Sequence, residues 1–131
     1  MPWVEIFAVF LVSHLVGDYL LQTESQAAHK RGGLRGDRAS LRALLSHVAT
    51  YALAFVPAFA WLAGDEPAGA LGLAAGIVFI PHVVQDDGRP IDVYMSRVKR
   101  VPAGQAPELA RMVDQTFHVL ALFAAALVAG S

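Results

Sequence analysis

Four stretches of this chain are almost continuously apolar, and each gathers its polar residues towards one end. They cover residues 2–21, 41–63, 70–86 and 108–130. A helix that crosses a bilayer needs roughly 20 mostly apolar residues, so each stretch predicts one spanning helix. The first is expected to run on as an amphipathic helix to about Ala28. Pro57 and Pro81 fall inside the second and third stretches. Each removes a backbone donor and predicts a kink, which a membrane bundle tolerates when neighbours satisfy the freed carbonyl. The predicted fold is an all-α, single-domain, integral membrane four-helix bundle.

Inside these stretches His and Asp recur one helical turn apart, as His14/Asp18, His82/Asp86 and, reversed, Asp114/His118. Residues four apart share a helix face. In a bundle of four antiparallel crossings the fourth helix runs opposite to the first and third. The reversal then puts every His deeper and every Asp nearer one membrane face. His47 sits under two turns into the second span, at the same end. Ionisable side chains in apolar spans are costly and default to a functional hypothesis.

Charge fixes the expected direction. The segment 29–42 carries five of the ten Lys and Arg residues, and 87–107 carries Arg89, Arg97, Lys99 and Arg100. The tenth is Arg111, in the first turn of the fourth span, and the acidic connection 64–67 has none. Positive residues favour the cytoplasm, so both long loops are expected there and both termini outside, in a cell (inner) membrane. Trp3 and Trp61 then meet the outer interface, where aromatic side chains anchor helices. The N-terminus lacks the basic region and cleavage site of a signal peptide, so the first span is expected to be retained. The glycine-rich stretch 32–36 predicts a flexible turn and lacks the context of a phosphate-binding loop.

Composition agrees. Of 131 residues, 56% are hydrophobic and 16% charged, against about 25% charged in a soluble domain. Mean hydropathy is +0.49. The net charge of −1 offers no basic footprint for nucleic acid. No cysteine is present, so a metal site would use His, carboxylate, carbonyl or water.

Four His and three Asp suffice for one ion with an outer shell, or for two ions sharing a carboxylate. The expected ligands are His14, Asp18, His47, His82, Asp86, Asp114 and His118, supported by Gln22, Tyr51, Gln85 and Gln115. Mixed His and carboxylate donors suit Zn²⁺, Mn²⁺, Fe²⁺, Co²⁺ or Ni²⁺, with Zn²⁺ the first expectation. Such an ion activates water and polarises a carbonyl or phosphoryl oxygen. Asp18 or Asp114, where not a ligand, would be the general base. Arg89 and Arg111 at the mouth would hold an anionic group of an amphipathic substrate. Asp87 is a simple loop charge or an alternative ligand to Asp86. His29 is expected in solvent, Glu5 at the outer interface, and Tyr19 in packing.

Three functions fit these residues. One is a metal-dependent hydrolase at the headgroup level. The second is a metal or proton transporter or carrier, since polar groups inside bundles also mark ion pathways. The third is a structural or regulatory subunit whose His–Asp network sets helix register. Small residues Gly69, Gly72 and Gly76 could support close helix contacts within the chain or in a homo-oligomer.

The motif His14-Leu-Val-Gly-Asp-Tyr-Leu-Leu-Gln22, then His47 with Tyr51, Pro81-His-Val-Val-Gln-Asp86 and Asp114-Gln-Thr-Phe-His118 resemble the bacterial membrane family catalogued as domain of unknown function 3307. The resemblance runs over most of the chain and implies a multi-pass membrane protein without an established activity. The third motif departs from the family's simpler His-x-x-x-Asp at Asp86-Asp87-Gly88, which leaves Asp86 and Asp87 as alternatives. A looser likeness is to membrane-bound metal-dependent hydrolases, which also carry His-x-x-x-Asp within spans; as an analogy it sets only a prior.

Overall fold

The computed structural model describes residues 1–130. Helix α1 covers Trp3–Leu15 and widens into a π-helical turn over Val16–Leu21, followed by a short α2 over Glu24–His29. After a 3₁₀ turn at Gly33–Arg35 come α3 (Arg38–Leu62), α4 (Ala68–Asp87), α5 (Arg89–Arg97) and α6 (Pro107–Ala129). No strand occurs among the described residues. Four helical segments are long and apolar enough to cross a membrane: Trp3–Leu21, Arg38–Leu62, Ala68–Asp87 and Pro107–Ala129. This matches the expected spans to within a few residues, and Pro57 and Pro81 lie inside α3 and α4.

The first span does not continue to Ala28. Gln22 is extended, and Thr23 starts a new helix as its N-cap. Thr23 Oγ1 accepts from the Gln26 N–H at 3.2 Å, while Gln26 Oε1 accepts from the Thr23 N–H at 2.9 Å. This reciprocal cap satisfies two backbone donors that a helix start leaves free. The basic segment 87–107 also holds an unexpected helix, α5, which buries Ile91 and Met95. The stretch 32–36 is pinned as well as turned. The Gly32 N–H donates to the Asp87 carbonyl and the Leu34 N–H to Asp87 Oδ1, both at 2.9 Å.

The core fills one half of the bundle. Ile6, Phe10, Phe55, Leu62, Ala74, Leu122, Ala125 and Ala126 are inaccessible or nearly so and form one cluster. Phe10, Phe55, Phe59 and Phe79 stack through it with ring centroids 5.3 to 6.4 Å apart. Alanines on α4 and α6 let those helices pack closely, since small residues allow backbones to approach. Gly69 and Gly72 have no part in this: a Cβ added at either meets nothing within 4 Å. Gly17 is different. A Cβ there would stand 2.6 Å from the Tyr51 ring, so its absence lets the π-helical turn lie against α3.

Candidate metal centre

All seven His and Asp residues expected to cluster meet at the polar end of the bundle, and the structure sorts them. Asp18, His47, His82 and Asp86 are buried, each with a donor atom within 4.8 Å of the others'. Asp86, Asp114 and His118 form a second group by the same measure, so Asp86 belongs to both.

In the first group the ring nitrogens and carboxylates converge. His47 Nε2 stands 3.2 Å from Asp18 Oδ1, 2.9 Å from Asp86 Oδ2 and 3.2 Å from His82 Nε2. His82 Nε2 lies 3.2 Å from Asp86 Oδ2 and 4.0 Å from Asp18 Oδ1. Asp18 Oδ1 and Asp86 Oδ2 have no aligned hydrogen bond among the described residues, despite these short approaches. Four donors around a tetrahedral ion at about 2.1 Å stand about 3.4 Å apart, and the observed spacings bracket that value.

The second group presents two lone pairs to each other. His118 Nδ1 lies 2.8 Å from the Asp114 carbonyl. A carbonyl only accepts, so Nδ1 carries the proton, and in a neutral ring Nε2 is then an acceptor. That Nε2 faces Asp86 Oδ1 at 3.6 Å and has no hydrogen-bond partner among the described residues. A cation held there could satisfy His118 Nε2, and a backbone carbonyl is one of the partners that orient metal-binding histidines elsewhere.

His14 stands beside both groups. Its Nδ1 meets the Tyr51 hydroxyl at 3.0 Å and its Nε2 meets Gln115 Oε1 at 2.9 Å. The widened turn after Leu15 resets the angular step to Asp18, leaving His14 Nδ1 3.8 Å from Asp18 Oδ2. Gln115 Nε2 in turn donates to Asp18 Oδ2 and Asp114 Oδ2, each at 3.4 Å. Tyr51 stacks on His82 with ring centroids 3.5 Å apart and 10° between planes. Tyr51 and Gln115 thus hold the histidines and carboxylates from behind.

The adjacent acids part company. Asp86 faces the histidines, whereas Asp87 accepts from the Leu34 N–H and pairs with Arg35 Nε at 3.4 Å. His29 is exposed. Of the two expected arginines, Arg111 pairs with Glu108 at 3.2 Å and lines the cavity below, while Arg89 lines a separate groove.

The residue that sequence reasoning missed is Lys30. It ends α2, its side chain is 14% exposed, and its ammonium lies 3.0 Å from Asp86 Oδ1. It also donates to Gln22 Oε1 at 2.6 Å. Only the turn back from α2 onto α4 brings it there, and no local pattern announces that.

A cavity of about 710 Å³ opens above the carboxylates, lined by Asp18, Lys30, Asp86, Asp114, Arg111 and neighbours from α2 and 102–107. The buried His/Asp groups at its floor could therefore bind metal and be reached from the loop side.

No curated protein and no solved structure matches the chain, so the looser likeness to membrane-bound hydrolases gains no support there. A family model described as a protein of unknown function, DUF3307, matches residues 6–131, and with four membrane-length helices around this polar centre the chain belongs to that family.

Proposed function

We propose that the protein is a multi-pass inner-membrane enzyme, with a divalent metal centre that hydrolyses an amphipathic substrate at the cytoplasmic headgroup level. The observation that carries this is the pair of donor clusters sharing Asp86 at the floor of an open cavity. Asp18, His47, His82 and Asp86 would hold one divalent ion, Zn²⁺ being the first candidate, and Asp86, Asp114 and His118 could hold a second. Ions held there would polarise a carbonyl or phosphoryl oxygen and activate water. Asp114, whose side chain is about a quarter exposed (26%), would accept the proton when it is not coordinating. His14, Tyr51 and Gln115 hold the ligands in orientation.

A transport pathway fits less well. Phe10, Phe55 and Leu122 are fully or almost fully buried on the far side of the clusters and offer no polar continuation. A purely structural network fits less well too, because Asp18 Oδ1 and Asp86 Oδ2 make no aligned hydrogen bond among the described residues.

The test is metal content of gently purified protein by mass spectrometry, with hydrolysis of lipid esters and lipid phosphates assayed alongside. Stoichiometric metal with hydrolysis supports the reading. Metal-free wild-type protein sinks it, and metal flux into liposomes without hydrolysis replaces it with transport. Orientation is checked separately. The cysteine-free chain accepts single cysteines at Ser40 and Gly64, and only the one at Gly64 should label from the periplasmic side.

A further inference from the structure

The wall of the metal cavity is shared with a second, apolar recess. A groove of about 590 Å³ runs between α4, α5 and α6, lined by Val84, Val93, Val98 and Phe117 among others. Arg89 and Arg97 stand along it. Gln85 lines both spaces, and its Oε1 is buried without a hydrogen-bond partner among the described residues. One side therefore presents cations over carboxylates that could hold ions, and the other presents hydrocarbon, with one amide between them.

The charge on the polar side sorts by depth. The floor carries Asp18, Asp86 and Asp114, which in the proposed reading are spent on ions. Lys30 reaches that floor, and Arg31 and Arg111 line the same cavity. Arg31 is half committed to Asp92 at 2.6 Å. The Lys30 ammonium has three donors, of which Gln22 and Asp86 engage two. A compact anion above the floor would meet a cation held in place by two neighbours.

We infer that the substrate is a lipid bearing a phosphate headgroup, with the phosphate against Lys30 in the cavity and one acyl chain in the α4–α5–α6 groove. This rests on the metal-centre reading, since without ions the floor is net acidic. Lys30 then acts as the headgroup-recognition residue, and Gln85 marks the point where head and chain part. The groove takes a chain rather than a protein helix because it adjoins the polar cavity across the single side chain of Gln85 and sits among membrane-length helices. Arginines beside such a groove also favour an anionic lipid over a neutral one.

The experiment uses the full chain in detergent, loaded with Zn²⁺ after its metal content has been measured. Binding of monopalmitoyl glycerophosphate, monopalmitoylglycerol and inorganic phosphate is followed by titration calorimetry. The lipid phosphate is expected to bind about tenfold or more tighter than either of the others, the range for a charge-assisted contact. Lys30→Ala should remove the advantage over monopalmitoylglycerol while Lys30→Arg keeps it. Val93→Trp, which fills the groove, should weaken the lipid and leave inorganic phosphate unchanged. Equal binding of monopalmitoylglycerol overturns headgroup recognition, and equal binding of inorganic phosphate overturns the role of the groove. Full affinity in Lys30→Ala overturns the residue assignment. Stoichiometric metal with no preference for the lipid phosphate defeats this inference alone, whereas a metal-free wild type defeats the metal-centre reading and this one with it.

Discussion

Phe55 and His82 both pack on the ring of Tyr51, with centroids at 4.9 and 3.5 Å, yet they belong to regions assembled on different terms. On the Phe55 side, phenylalanines and alanines fill space and every contact is dispersion. Helices in a membrane gain nothing from hiding apolar surface from lipid, so shape and close approach hold that half together. On the His82 side, acids crowd round imidazoles, and the Lys30 ammonium contacts one of those acids, Asp86. Taking charges out of water costs several kcal/mol each after relaxation. Such a cluster is a poor stabiliser unless a cation completes it. The contrast separates a half that makes the bundle from a half that the bundle is made to hold.

The comparison breaks hardest at Asp86. Asp86→Asn should strip both ions, because this carboxylate serves both clusters, whereas Asp18→Asn and Asp114→Asn should each leave one. Metal analysis of the three variants decides, and equal losses would refute the shared carboxylate. Phe55→Ala should do the reverse. It is expected to cost about 3 kcal/mol through the cavity left behind, read as unfolding in denaturant-titrated micelles, with metal per folded molecule unchanged.

Gly17→Ala lies on the border and should touch both halves. Its Cβ would clash with Tyr51 at 2.6 Å, and Tyr51 supports His14 and His82. A loss of about 1–3 kcal/mol is expected from overpacking, together with weaker metal retention against a chelator. Unchanged retention would remove Tyr51 from the support of the site. The smallest effect is expected at Asp37, outside the spans. It caps α3, accepting from the Ala39 N–H at 2.9 Å, and the cap holds its carboxyl below the ordinary value of 3.8. A depressed carboxyl contributes above its unfolded value and loses that contribution as pH falls through the folded one. Asp37→Ala should therefore lower the melting temperature slightly at neutral pH, with the difference closing below about pH 4.

Much of this was legible before any coordinates. The four spans follow from length and hydropathy, six of the seven His and Asp residues from spacing and the reversed order in α6, and His47 only from its matching depth. The break after Leu21 was also written in the chain, as Thr23 followed three residues later by Gln26, the capping-box signature; hydrophobic continuity hid it. The choice between Asp86 and Asp87 was not legible. It depends on which way the last turn of α4 faces, set by the 3₁₀ turn that Asp87 anchors. The sorting of His14 away from the donor clusters needed the π-helical turn, and π-bulges have no simple sequence mark, though they gather at functional sites. Lys30 was hidden among four other bases of the same loop.

The back-to-back placement of Asp86 and Asp87 bears on how the molecule is made. When α1 and α3 alone have entered the membrane, the nascent chain holds Asp18 and His47, half of the first donor group. The arrival of α4 supplies its remaining two members through His82 and Asp86. In the same step Asp87 fastens the Gly32–Leu34 backbone, so Lys30 is delivered to Asp86 as the helix docks. The second group waits for α6. Synthesis thus orders the two groups in time, and a ribosome stalled between α4 and α6 would display a chain with the first donor group complete and the second not yet formed.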